Sequence, residues 1–219
     1  MIPLRSSEPH YTKPTVNLFI IGLNVLVFLY ELSLGNGYRL NHFIQAFGLV
    51  PDHWHVATIF TSMFIHGGFL HILGNMWFLW VFGRGVEDVL GHTKYFFFYL
   101  ICGVAAAMSQ VVLSPNSTIP TVGASGAIAG VMGAYLVTFP RARIVTLVFI
   151  IIFITTVDIP AAFLLLYWFA IQFFNGVGSI GYSQASSGDV AWFAHVGGFI
   201  AGIVLVKLIA PSRRLRSYY

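Results

Sequence analysis

The chain has 219 residues, of which 58% are hydrophobic and only 8% are charged, with a formal net charge of +4. Soluble domains carry about 25% charged residues, so the composition excludes a soluble globular protein and indicates an integral membrane protein. The basic residues are scattered along the sequence and form no stripe, which argues against nucleic acid as a partner.

The N-terminal segment is polar and contains prolines, and an apolar run follows it. No small-residue cleavage site ends that run, so we expect no removable signal peptide. The predicted organisation is a cytoplasmic tail over residues 1–15, one membrane domain over residues 16–209, and a basic cytoplasmic tail over residues 210–219.

Six apolar segments are candidates for membrane spans, because about 20 apolar residues cross a hydrocarbon core of roughly 30 Å. The predicted fold class is therefore all-α, a bundle of six transmembrane helices. The expected spans are Val16–Leu34, Gly68–Phe82, Tyr95–Leu113, Ser125–Phe139, about Ile159–Phe174 and Val190–Ile209.

Two further segments are apolar but do not fit a span. Gly35–Gly67 is interrupted by a proline, an aspartate and histidines, so we expect short amphipathic helices at the membrane interface. A continuous helix over Ile144–Phe174 would be about 46 Å long, too long for one span. Pro160 splits that run, and Ile144–Val157 is predicted to be an interfacial or returning segment.

The basic residues predict the orientation. With the N-terminus inside, only Arg39 of the 11 Lys and Arg residues would lie outside. An even number of spans then places both termini in the cytoplasm. The outer side would hold residues 35–67, the loop Ser114–Ala124 and the Gly/Ser-rich loop Asn175–Asp189.

A few polar side chains lie inside the predicted spans, where they are costly and indicate function. Helix rise places Ser125 roughly 8 Å below the outer face, and His195 and Asn75 about 9 and 10 Å below it. His71 lies one turn before Asn75, hence on the same helix face. Three separate spans thus bring these groups to one depth.

These residue types match the needs of amide hydrolysis. A serine hydroxyl becomes nucleophilic when a base takes its proton, and histidine is the usual base. His71, Asn75 and the free N–H of Ser125 would stabilise an oxyanion. Gly123 and Gly126 permit a tight turn, and Gly198 with Gly202 would let the sixth span press against the fourth. Asp189 would face away from His195, so we expect a dyad and not a triad.

The ordered set of motifs resembles the rhomboid intramembrane serine proteases over nearly the whole chain. A GxSG tetrapeptide alone is a weak signal, but the complete set at the ends of the predicted spans is specific. The matching motifs are HGGFLHILGN from His66 to Asn75, GRGVE from Gly83 to Glu87, GASG from Gly123 to Gly126, and AHVGG from Ala194 to Gly198, followed by Gly202.

The resemblance implies roles for individual residues. Ser125 would be the nucleophile, His195 the base, and His71 and Asn75 the oxyanion donors, while His66 would shape the loop between spans one and two. A mobile fifth span and a cap loop would cover the site. The chain departs from well-known members at Ala129, where they carry an aromatic that stacks on the histidine; Trp192 and Phe193 are candidates to replace it.

The leading hypothesis is an intramembrane serine endopeptidase that cleaves transmembrane segments near the outer membrane face. An inactive rhomboid-like protein that binds membrane-protein clients is the alternative, and Ala129 is the one feature in its favour. A transporter would need charged residues at the midplane and paired broken helices, which the sequence lacks. We expect membrane lipids as partners, no cofactor, no metal site because no HExxH or cysteine cluster occurs, and a prokaryotic plasma membrane as the location. The sequence leaves the oligomeric state open.

Overall fold

The fold is mostly helical. The computed structural model describes residues 2–9, 11–150, 153–179 and 191–211. Within these ranges the α-helices run in chain order as α1 Thr15–Ser33, α2 Tyr38–Phe47, α3 Val56–Thr61, α4 Phe69–Leu90, α5 His92–Leu113, α6 Ser125–Thr138, α7 Ala161–Ser179 and α8 Trp192–Ile209.

Four of the described helices are long and apolar enough to cross a membrane by themselves. They are α1, α5, α8 and the first 18 residues of α7, Ala161–Gly178. A fifth candidate arises only if α4 and the preceding segment Val56–Phe64, which meet at an angle of 89°, are counted as one broken span. The central helix α6 is apolar but has only 14 residues. The chain is therefore a multi-pass membrane protein, with four or five candidate spans among its described residues.

Helix α4 extends eight residues beyond the predicted end of the second span at Phe82, and its added turns carry charge. The Glu87 carboxylate accepts the backbone N–H groups of Val16 and Asn17 at 2.9 and 2.8 Å, in the first turn of α1. Asp88 accepts the backbone N–H of Thr12 at 2.8 Å. Because the first N–H groups of a helix have no intrahelical acceptor, the buried Glu87 carboxylate completes the start of α1, and Asp88 binds the segment just before it.

The segment between α1 and α4 forms short helices, as expected. Besides α2 and α3 it contains two single 3₁₀ turns, Pro51–His53 and Ser62–Phe64. No residue of α2 is buried, whereas the second 3₁₀ turn contributes the buried Ser62 and Met63. The segment therefore has a peripheral first half and a second half that packs on the bundle.

A small antiparallel sheet corrects the all-α prediction. Strand β2, Arg143–Ile150, pairs with β3, Phe153–Pro160, and also with β1, Ile2–Ser6, in the order β1-β2-β3. The β-branched residues of the predicted returning segment favour strands, and Pro160 ends β3 immediately before α7. The expected N-terminal tail contributes the third strand, because its backbone groups complete the free edge of β2.

Helix α6 lies at the centre of the bundle. Its residues from Gly126 to Tyr135 are all buried, and α4, α5, α7 and α8 pack around it. Small residues make this possible, because glycine and alanine let neighbouring backbones approach closely. The first residue of this central helix is Ser125.

Candidate active site

Ser125 and His195 lie within hydrogen-bonding distance of each other. Ser125 begins α6, and His195 lies in the first turn of α8, 70 residues further along the chain. The Ser125 Oγ and His195 Nε2 atoms are 2.7 Å apart. The imidazole is buried, with 7% of the residue exposed. This is the distance that direct proton transfer between a hydroxyl and an imidazole requires.

Close packing of α6 against α8 creates this proximity. A Cβ atom added at Gly198 would collide with the carbonyl oxygen of Gly126, and one added at Gly202 would collide with that of Gly130. Both pairs are backbone contacts, so neither can be relieved by a side-chain rotation. The two glycines therefore set the separation of the helices on which the serine and the histidine lie.

The second ring nitrogen of His195 has a partner that the sequence analysis missed. Its Nδ1 lies 2.6 Å from Oε1 of Gln172 on α7, and Gln172 is 6% exposed. Asp189, which we expected to face away, lies outside the described residues. One signal could have revealed Gln172: it is an amide inside an otherwise apolar predicted span, and such groups mark function.

An aromatic ring contacts His195, but it comes from a different helix than expected. The ring of Trp168 on α7 lies 5.6 Å from the imidazole, measured between centroids, and is tilted by 40°. Trp168 also contacts Phe199 of α8. The expectation that Trp192 or Phe193 replaces the aromatic missing at Ala129 is therefore corrected to Trp168, because α7 and not the start of α8 supplies the ring.

Two side chains of α4 lie beside Gly123, close to the serine. A Cβ built on Gly123 would lie 2.8 Å from Cε1 and Nε2 of His71 and 3.7 Å from Nδ2 of Asn75. The Nδ1 atom of His71 accepts the backbone N–H of Gly67 at 3.3 Å. A neutral imidazole that accepts at Nδ1 carries its proton on Nε2, so His71 presents a donor toward Gly123.

The loop that contains Gly123 is fixed to the segment before α4. Leu49 and Thr121 exchange two backbone hydrogen bonds of 3.0 and 2.7 Å, and the Gly123 N–H donates to the carbonyl oxygen of Ser62 at 2.8 Å. Gly123 has φ +123°, a conformation that L-amino acids with side chains rarely adopt. The loop therefore holds the backbone before Ser125 against His71.

His66 lies behind His71, in the loop before α4. Their rings meet edge to face at 5.2 Å, and the His66 backbone N–H donates to the Glu31 carboxylate at 3.1 Å. Burial, together with the nearby His71, lowers the pKa of His66 to about 4, so this imidazole is neutral at pH 7. Within the described part of the chain, no group of three or more His, Cys, Asp or Glu residues could hold a metal ion.

A small cavity of about 30 Å³ adjoins Ser125 on the side of α5. Its walls are mainly small or apolar, and they include Met63, Gly103, Ala106 and Gly126. A space of this size accommodates a methyl group or one to two water molecules, but no large side chain.

The amino-acid sequence is similar to those of known proteins. Residues 53–212 match the family model described as the Rhomboid domain. The chain is 32% identical over 130 residues to the rhomboid protease GluP of Bacillus subtilis, covering 57% of this chain and 24% of that protein. It is 28% identical over 212 residues to the mitochondrial rhomboid protein 1 of Saccharomyces cerevisiae, covering 90% of this chain and 55% of the relative.

A third relative is the chloroplastic rhomboid-like protein 11 of Arabidopsis thaliana. It is 26% identical over 197 residues, which cover 85% of this chain and 66% of the relative. The chain thus spans between about a quarter and two thirds of the length of these three relatives. Since the domain match covers most of its residues, the chain belongs to the rhomboid family.

Proposed function

We propose that this protein is a serine endopeptidase that cleaves transmembrane segments of membrane proteins near the outer membrane face. The observation that carries the proposal is the 2.7 Å hydrogen bond between Ser125 Oγ and His195 Nε2 at the start of the central helix. The family, and its relatives named as proteases, support the same reaction class.

In the first step, the Ser125 oxygen attacks the scissile carbonyl carbon while its proton passes to Nε2 of His195. The carbonyl oxygen becomes an oxyanion. His71 Nε2–H, the remaining N–H of the Asn75 amide and the Ser125 backbone N–H are the donors proposed to stabilise it. One Asn75 N–H already donates to the carbonyl oxygen of His71 at 3.0 Å, so the second N–H would donate to the oxyanion.

In the second step, the C–N bond breaks and His195 returns the proton to the leaving amine, which leaves an acyl ester on Ser125. A water molecule then gives its proton to His195 and attacks the ester carbon. When the C–O bond to Ser125 breaks, the proton returns to the serine oxygen, and the carboxylic acid product departs.

The cavity beside Ser125 supports a small residue on the acyl side of the cleaved bond, since its walls leave room for little more than a methyl group. We further propose the six-span topology, in which α4 and the short α6 also cross the membrane, with both termini in the cytoplasm. The supporting feature is that α6 is enclosed by longer helices, so that polar backbone at its N-terminal end faces protein and not lipid.

The test is cleavage of a reporter transmembrane segment, with alanine at the scissile position, by purified protein in liposomes. We expect Ser125→Ala and His195→Ala each to lower the rate by at least about 10³-fold and to abolish labelling by a fluorophosphonate. Ser114→Ala, whose hydroxyl lies outside the site, is the matched control and should cleave and label like the wild type.

Undiminished cleavage by Ser125→Ala would refute the proposed mechanism. If instead the wild type neither cleaves any reporter in a panel nor reacts with the fluorophosphonate, the result favours the alternative, a non-catalytic rhomboid-like protein.

A further inference from the structure

We infer that Gln172 is a positioning residue for this reaction: its side-chain carbonyl fixes the tautomer and orientation of His195. The inference rests on the proposed function and extends the expected dyad by a third, uncharged member. Its basis is the 2.6 Å contact between Gln172 Oε1 and His195 Nδ1 on the side of the ring away from Ser125.

The two hydrogen bonds of His195 depend on each other. A neutral imidazole has one donor nitrogen and one acceptor nitrogen. When Gln172 Oε1 accepts from Nδ1–H, the lone pair of Nε2 faces Ser125 and can take its proton. If Nδ1 carried no proton, Nε2–H would point at the serine oxygen, and His195 could not act as the base. The acceptor at position 172 thus decides which tautomer is present.

Two side chains on the same face of α7 contact the His195 ring. Trp168 and Gln172 are four residues apart, so they lie one above the other on α7. Trp168 packs against the imidazole while Gln172 binds its edge. Both are directed at His195, although much of the remaining helix surface is apolar and exposed, as at Tyr167 and Phe174.

An amide suits this location better than a carboxylate. A buried charge in an apolar span is costly, whereas a neutral carbonyl fixes the tautomer without that cost. The amide and the carboxylate differ in how strongly each stabilises the protonated His195 imidazole that forms during the reaction. A carboxylate at the same place would keep the tautomer and add charge stabilisation.

The experiment compares Gln172→Met, which keeps the length but replaces the amide oxygen by a much weaker acceptor, with Gln172→Glu, which keeps an acceptor oxygen at the same place. Asn175→Leu is the matched control, because Asn175 is an exposed amide on the same helix. Each variant is examined by the rate of fluorophosphonate labelling, by kcat and KM for the reporter, by the pH profile and by thermal unfolding in detergent. Labelling reports activation of Ser125 without requiring the transmembrane substrate to bind.

We expect Gln172→Met to unfold only a few degrees below the wild type but to lose about 10- to 100-fold in labelling rate and kcat, with KM little changed. Gln172→Glu should label within about threefold of the wild type, since it retains the acceptor. The acidic limb of its pH profile should move up by about one pH unit or more, because the carboxylate stabilises the protonated ring. Among the described titratable side chains, His71 also acts electrostatically on His195, and it is unchanged in every variant.

Wild-type labelling by Gln172→Met would overturn the inference, and so would a loss in Gln172→Glu as large as in Gln172→Met with no displacement of the pH profile. Either result would leave an active wild-type enzyme. Failure of the proposed function differs from both, since the wild type itself would then be inert.

Discussion

At the scale of single residues, the site depends on how two neutral imidazoles divide their donor and acceptor nitrogens. His71 accepts the Gly67 N–H at Nδ1 and therefore offers Nε2–H, whereas His195 donates from Nδ1 to Gln172 and offers a lone pair at Nε2. The same side chain thus takes opposite tautomers at two positions of one site. A backbone N–H at one ring and an amide oxygen at the other make the difference.

A side chain at Gly123 would collide with His71, the proposed oxyanion donor. We expect Gly123→Ala to lower the rate of reporter cleavage by about 10²-fold, since its Cβ would lie 2.8 Å from the His71 ring and displace it. The positive φ adds a stability cost of roughly 1–3 kcal/mol.

Gly37→Ala is the matched control for that experiment. Gly37 has φ +125°, nearly the value at Gly123, but a Cβ there meets nothing within 4 Å. Both variants should lose thermal stability through the positive φ, and only Gly123→Ala should lose activity. Equal activity in the two variants would mean that His71 is not held at Gly123 for catalysis.

The sequence predicts some residues of this site and misses others for a physical reason. Ser125, His195, His71 and Asn75 stand out because each is a polar group inside an apolar span. Gln172 is equally polar and equally placed, but its meaning depends on which helix α7 contacts. Single-sequence periodicity contains no information on helix neighbours, so neither Gln172 nor the aromatic contact from α7 could be assigned to His195.

At the scale of elements, α6 and α8 act as one packed pair. Their contact uses glycines on both helices, so the backbones touch and the helices cannot slide without opening a gap. Glycines four residues apart on α8 predict this contact. The place of β1 in the sheet was not predictable in the same way, because β1 pairs with β2, which lies more than 130 residues later in the chain. Strand pairing over that separation leaves no local pattern.

Gly202→Ala tests the packed pair at a distance from the reacting atoms. Its Cβ would strike the backbone oxygen of Gly130, so α8 must move away from α6. We expect overpacking to cost about 1–3 kcal/mol in stability. A displacement of about 1 Å at the Ser125–His195 contact should reduce cleavage by about 10²-fold.

Gly22→Ala is the control for this substitution, because a Cβ at Gly22 of α1 meets nothing within 4 Å. It should keep the wild-type rate and unfolding temperature. If Gly202→Ala kept the wild-type rate while its stability fell, the helix spacing would support the fold without setting the geometry of the site.

At the scale of the whole molecule, the two ends of the bundle differ in chemistry. One end holds the sheet, the Glu87 carboxylate that completes α1, and Lys94, whose ammonium donates to the Ile209 carbonyl oxygen at the C-terminus of α8. The other end holds Ser125 and the loops joined through Leu49 and Thr121. The positive-inside pattern predicts that the end with the basic residues faces the cytoplasm, so the proposed site would open to the outer side.

Cysteine accessibility tests this orientation. Asn116 is exposed in the loop between α5 and α6, and Lys13 is exposed before α1 at the opposite end. In intact cells, a membrane-impermeant maleimide should label Asn116→Cys and should label Lys13→Cys only after permeabilisation. The native Cys102 is completely buried against Gly130, so the wild type serves as the unlabelled background. The opposite result, with Lys13→Cys labelled in intact cells and Asn116→Cys protected, would contradict the proposed topology. The Ser125 hydroxyl would then lie near the cytoplasmic face, and substrates would have to present their cleavage sites on that side.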